Sequence, residues 1–118
     1  MVRKILQPAR IPDGAGKLIL EYAGRASGGL ASVSVAHMVT PGGWSEPFQQ
    51  PMFDEVTVVT RGTIRVEHQA GSCDVMAGEA VIVPRGERIR YSNPGSGKAE
   101  YWAICTPAFE AETAGREA

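Results

Sequence analysis

Helix breakers recur along the whole chain, and no long stretch escapes them. Fourteen glycines and eight prolines are spread over 118 residues. In a helix interior a Gly costs about 1 kcal/mol and a Pro about 3 kcal/mol, so this much punctuation points to a turn-rich β protein. Short β-type runs lie between the breakers. Leu30 to Thr40 alternates, with Val33, Val35, His37 and Val39 on one face and Ser32, Ser34, Ala36 and Met38 on the other. Lys17 to Tyr22 is a shorter candidate. Glu55 to Thr60 is β-branched and stops at Arg61-Gly62, after which Thr63 to His68 returns with Ile64 and Val66 on one face. Cys73 to Val75, Ala80 to Val83, Arg88 to Ser92 and Ala99 to Thr106 complete the series, each bounded by turn residues. Segment 41–53 (PGGWSEPFQQPMF) reads as a loop, and 110–118 as one loose helical turn or as disorder. Short strands with regular turns predict a sandwich or barrel. An immunoglobulin arrangement expects a Cys–Trp–Cys order across its sheets, but here Trp102 stands just before Cys105. A double-sheet jelly roll is the better expectation.

Composition narrows the function classes. At 43% hydrophobic and 21% charged residues the chain reads as globular rather than disordered. Its length suits one domain, 1–118, with a core at about 17–109. Such a chain buries roughly two thirds of its unfolded surface and needs no disulfide to hold together. Twelve basic against thirteen acidic residues leave a net charge of −1. That lacks the basic excess of a nucleic-acid binder and gives no reason to expect a membrane surface as partner. The basic N-terminus is followed by no apolar run of signal-peptide length, and no window is apolar enough to span a bilayer. Cys73 and Cys105 have no metal-type spacing and read as free thiols, so the expected location is the cytoplasm.

Glycine spacing carries a more specific signal. Gly42, Phe48, Gln50, Glu55 and Gly62 are spaced as in a pattern of Gly, five residues, His-x-His, three or four residues, Glu, six residues, Gly. Gly78, Pro84, Gly86, Ile89 and Asn93 follow a second pattern of Gly, five residues, Pro-x-Gly, two residues, His, three residues, Asn. Together these resemble the two motifs of the cupin superfamily, over roughly residues 30–107. The resemblance implies an all-β double-stranded β-helix, a jelly-roll barrel, and pairing of two copies into a homodimer. Phe53-Asp54-Glu55 and Pro107-Ala108-Phe109 are further similar to the cupin domain of the ethanolamine-utilization family. Acetate kinase activity has been linked to that family, but no glycine-rich phosphate cradle accompanies the likeness here. The three positions that are histidine in metal-binding cupins are Phe48, Gln50 and Ile89. Only the carboxylate, Glu55, remains. One Glu and one Gln do not make a tight transition-metal site, so no cofactor is expected.

The surviving residues suggest acid–base chemistry. Alternation puts Glu55, Thr57 and Val59 on one face. If that face is inward, Phe48, Gln50, Ile89 and Tyr91 share its cavity. Desolvation then raises the pKa of Glu55, which suits proton transfer, and Tyr91 or Gln50 is placed to hydrogen-bond an oxyanion. The expected catalytic pair is Glu55 and Tyr91. The expected ligand-binding residues are Phe48, Gln50, Thr57, Ile89, Trp44 and His37. The expected activity is a metal-independent isomerase or lyase acting on a small molecule. Two alternatives stay open: a binding module without catalysis, and a metal site of non-standard make-up from Glu46, Gln50, Glu55 and His37. Each residue also has a plainer role: Glu55 paired to Arg88 or Arg90, Phe48 and Ile89 as barrel filling, His37 as a core residue, Trp44 as a plug and Cys105 as a buried structural thiol.

Overall fold

The computed structural model describes residues 1–117; Ala118, the end of the expected loose tail, lies outside them. Nine strands form: β1 (Ala9–Ile11), β2 (Leu18–Ala23), β3 (Ser34–Thr40), β4 (Asp54–Arg61), β5 (Thr63–His68), β6 (Gly71–Met76), β7 (Ala80–Val83), β8 (Arg90–Ser92) and β9 (Ala99–Thr106). One short helix, α1 (Ala111–Ala114), follows. The strands make a six-stranded sheet, β1-β2-β3-β9-β4-β7, and a three-stranded sheet, β6-β5-β8. All pairings between these strands are antiparallel. This is the expected cupin jelly roll.

Strand alternation decides what the two sheets enclose. On β9, Ala99, Tyr101, Ala103 and Cys105 are buried while the residues between them are half-exposed or exposed. On β4 the inward set is Glu55, Thr57 and Val59. Val83 of β7 adds to this side, and Ile64, Val66, Val75, Ile89 and Tyr91 complete the core from the other. The β4–β5 connection is a single corner at Gly62 (φ 73°), where a side chain would meet the carbonyl of Lys98 at 2.9 Å.

Four details differ from the sequence expectation. β1 is an additional strand. β3 starts at Ser34 rather than Leu30, because the preceding residues bend and Ala31 gives its carbonyl to the Ala108 amide (3.0 Å). β6 runs the full length of its partner β5. The 41–53 loop is not free either. Ser45 and Gln49 form isolated bridges to Ser92 and Ile89, so the loop extends the small sheet beyond β8.

The C-terminal segment then closes the edge of that loop. Met52 donates to Thr113 O (2.8 Å), Gln50 to Gly115 O (3.0 Å), and Glu117 to Phe48 O (2.9 Å). Gly115 makes this possible. It ends α1 in the left-handed region (φ 65°), and an added side chain would strike the backbone carbonyl of Gln50. Gly115→Ala is therefore expected to cost about 1–2 kcal/mol for the conformation alone, and more for the contact. Urea unfolding measures it; a loss under about 0.5 kcal/mol would mean that the strap is not seated as described.

Candidate functional site

Between the two sheets, at the end of the barrel closed by the C-terminal segment, lies a narrow cavity. Its volume open to the centre of a water-sized sphere is about 40 Å³. One ordered water needs roughly 10–15 Å³ on that measure, so the chamber holds a small molecule of a few heavy atoms or a short chain of waters. Its apolar wall includes Ile19, Ala36, Met38, Phe53, Ala103 and Phe109. Its polar groups are Lys17, Glu21, Ser34, Gln49, Glu55, Tyr91, Tyr101, Cys105 and Arg116.

Glu55 is the centre of the polar set. It projects inward from β4, only 7% exposed. Tyr91 donates its phenol to Glu55 Oε1 at 2.6 Å, and Cys105 donates its thiol to Oε2 at 3.4 Å. Thr57 stands 3.0 Å from the Tyr91 oxygen and, with that phenol proton already given to Glu55, acts as the donor. Burial pushes the Glu55 carboxyl above its ordinary range, and the bond from Tyr91 pulls only partly against it. Burial and the neighbouring carboxyl hold Tyr91 well above the usual phenol range, so it stays protonated. The same two causes keep Cys105 a thiol rather than a thiolate, and a thiol is a poor nucleophile.

A second buried group was not singled out from sequence. Lys17 lies just before β2 with its side chain 5% exposed. Its ammonium meets Glu46 Oε1 at 3.2 Å and the Tyr101 phenol oxygen at 3.3 Å, and lies 4.9 Å from the Trp44 ring centroid. Burial alone would lower its pKa, but the oxygens of Tyr101 and Glu46 overcome that and hold the ammonium above its ordinary range. Glu46 Oε2 and Trp44 Nε1 are buried without a hydrogen-bond partner. Asp13 fixes the Lys17 backbone (amide to Oδ2, 3.0 Å) and bonds Arg116 at the cavity rim (3.1 Å). One sequence signal existed. Lys17, Ile19 and Glu21 share a strand face opposite Leu18, Leu20 and Tyr22, and the charged face is the buried one.

Several expected residues lie elsewhere. Thr57, Glu55 and Tyr91 meet as anticipated by alternation, but Thr57 is fully buried against the Tyr91 phenol and is not part of the chamber wall. Phe48 and Gln50 do not join them. Phe48 is covered by the guanidinium groups of Arg88 and Arg90, 4.0 and 4.6 Å from its ring centroid. Gln50 is exposed and donates to Gly86 O at 2.9 Å. It is Gln49 that lines the chamber. The motif tolerates three or four residues before its Glu. Counting from Gly43 instead of Gly42 puts Gln49 and Pro51 at the two histidine positions, and both are buried. The one-residue slip exchanges faces along the whole segment. His37 is on the outer face of the large sheet, packed on Trp102 (4.7 Å between ring centroids) and 3.5 Å from Glu100. Ile89 faces inward but packs in the core, away from the chamber wall. Trp44 is a core residue under Lys17. Arg88 and Arg90 pair with Glu117 and Glu67 rather than with Glu55.

The fold and this site define a class. A cupin-domain family profile matches residues 36–105. The chain belongs to the cupin family. It is 45% identical over 107 residues to a Myxococcus xanthus protein named endoribonuclease YbeY, covering 91% of this chain and 36% of that protein. The chain thus spans about a third of the length of that curated relative. Among solved structures it is similar to the ethanolamine utilization protein Q of Salmonella typhimurium LT2 (20% identity, 86% of this chain and 80% of that chain, TM-score 0.70). It is also similar to a sugar phosphate isomerase of the cupin superfamily from Silicibacter pomeroyi DSS-3 (18% identity, 86% and 71% covered, TM-score 0.66). At these identities the two structures speak for the fold alone.

The metal that the family implies does not fit these residues. Gln49, Pro51 and Ile89 stand at the histidine positions, and both oxygens of Glu55 already accept bonds from Tyr91 and Cys105. The alternative set is dispersed as well. Glu46 is committed to the Lys17 ammonium, Gln50 to a surface carbonyl, and His37 lies outside the barrel. Among the described residues no group of three His, Cys, Asp or Glu side chains is placed to hold a metal ion. Also among them, no helix is long and apolar enough to cross a membrane.

Proposed function

We propose that the chamber binds a small carbonyl compound and that Glu55 moves a proton on it, making the protein an isomerase- or lyase-type enzyme that works without a metal. One observation carries this reading: a buried carboxyl, raised in pKa, bonded at 2.6 Å to a phenol that stays protonated. A carboxyl tuned upward is matched to proton transfer nearer neutral pH. Tyr91 gives its one phenol proton to Glu55, and so orients and tunes that acid. The name of the Silicibacter pomeroyi structure, a sugar phosphate isomerase, agrees with the reaction class.

The test is exchange of substrate hydrogen for deuterium in D₂O, followed by NMR over a panel of small carbonyl acids and sugars. Exchange by the wild type that persists unchanged in Glu55→Gln would remove Glu55 from the chemistry. Tyr91→Phe adds a second expected result. Its phenol holds the Glu55 pKa down, so its loss should move the pH–rate profile upward, and an unmoved profile would mean that Tyr91 does not tune the acid.

A second reading is a binding module without catalysis. The observation favouring it is the 45% identity to one part of a longer protein named for endoribonuclease activity. There the matched segment accompanies other sequence, as an accessory domain does. A ligand that raises the melting temperature but exchanges no hydrogen would select this reading. Either reading keeps the expected cytoplasmic homodimer. Supporting the pairing, Leu20, Tyr22, Val35, Val58, Trp102 and Ile104 leave the outer face of the large sheet apolar and part-exposed. Sedimentation at one chain's mass would discard it.

A further inference from the structure

We infer that Lys17 is the anion-holding group of the chamber, so that the molecule taken is a small carboxylate. The inference rests on the proposed ligand site and names its substrate class.

The argument is one of donors and charge. An ammonium has three N–H donors and no acceptor. Two of those on Lys17 reach Glu46 Oε1 and the Tyr101 oxygen. The third has no acceptor among the described residues, although the side chain is nearly fully buried and lines the cavity. Buried donors are almost always satisfied, so an open one on a charged group facing a cavity points to what enters it. The other charges of the cavity do not compete. Arg116 is at the rim, bonded to Asp13 at 3.1 Å. Glu21 turns its carboxylate to the Ala26 amide (2.9 Å). Burial favours the neutral form of Glu55, so the like charge a carboxylate bound at Lys17 would meet is that of Glu46, which already shares the ammonium at 3.2 Å. The apolar wall and the small volume limit the rest of the molecule to a few heavy atoms.

Calorimetric titration with acetate, pyruvate and lactate, and with pyruvamide as a neutral isostere, tests this. The wild type should bind pyruvate at least tenfold more tightly than pyruvamide. Glu46→Gln keeps the shape but frees the ammonium, and should tighten pyruvate about tenfold. The Lys17→Met, Glu46→Gln double variant removes both charges without stranding either, and should lose the preference for pyruvate. A purely structural Lys17–Glu46 pair predicts lower melting temperatures in Glu46→Gln with no gain in anion affinity. That result overturns the inference. So does equal binding of pyruvate and pyruvamide, or no binding of any carboxylate by both the wild type and Glu46→Gln. The proton-transfer reading is separable: Glu55→Gln should still prefer pyruvate. Retained preference with unchanged turnover in that variant would leave the anchor standing and remove the chemistry.

Discussion

Glu55→Gln is expected to lower turnover by about 10²–10⁴-fold, the usual contribution of a positioned acid or base. The same variant should change how stability depends on pH. The carboxyl titrates higher in the folded chain than its ordinary value of 4.5, chiefly because burial disfavours the charge. The folded state therefore holds this proton more tightly than the unfolded state does. Its contribution to stability is complete below the ordinary carboxyl range and is lost as pH rises through the folded value. A glutamine has nothing to ionise. Relative to wild type, Glu55→Gln should thus gain stability as pH rises from the ordinary value of 4.5 to the folded value, and no further above it. Urea unfolding across that range measures it. A difference independent of pH would mean that the carboxyl titrates alike in the folded and unfolded chains, and with that the tuned acid is gone.

Glu46→Ala should destabilise the fold by about 3–5 kcal/mol, the typical cost of leaving one partner of a buried ion pair without the other. Both side chains are nearly inaccessible, at 5% for Lys17 and 1% for Glu46. Removing the carboxylate leaves a buried ammonium with the Tyr101 oxygen and two aromatic faces as its only company. The double variant Lys17→Met, Glu46→Gln should cost much less, because no charge is left unpaired. Denaturant titrations of both give the comparison. Similar losses in the two would show that packing around Trp44 and Tyr101, rather than charge, dominates this end of the barrel.

The pair also bears on how the site is built. Glu55, Thr57 and Tyr91 were legible because strands β4 and β8 alternate cleanly and Gly62 fixes where β4 ends. The jelly roll was legible for the same reason: breakers mark the corners and β-branched runs fill the spaces between them. The period of two says which residues share a face, but not which face is inside. On β2 the more apolar face, with Leu18, Leu20 and Tyr22, is turned outward, while Lys17, Ile19 and Glu21 are turned in. On β3 likewise, Ser34, Ala36 and Met38 line the interior while Val35, His37 and Val39 look outward.

The sequence by itself determined every strand but β1, the barrel, the missing imidazoles and the acid Glu55 on β4, since these follow from residue type and local spacing. Only the tertiary structure decided that Gln49 replaces Gln50 at the chamber and that Lys17 stands across it from Glu55. Loop register and sheet facing are set by contacts between distant segments: the Gln49–Ile89 bridge, the strap at Gly115, and Lys17 reaching 29 residues to Glu46 and 84 to Tyr101. Such pairings have a cost and a gain only once the chain has closed on itself, and no local pattern records them.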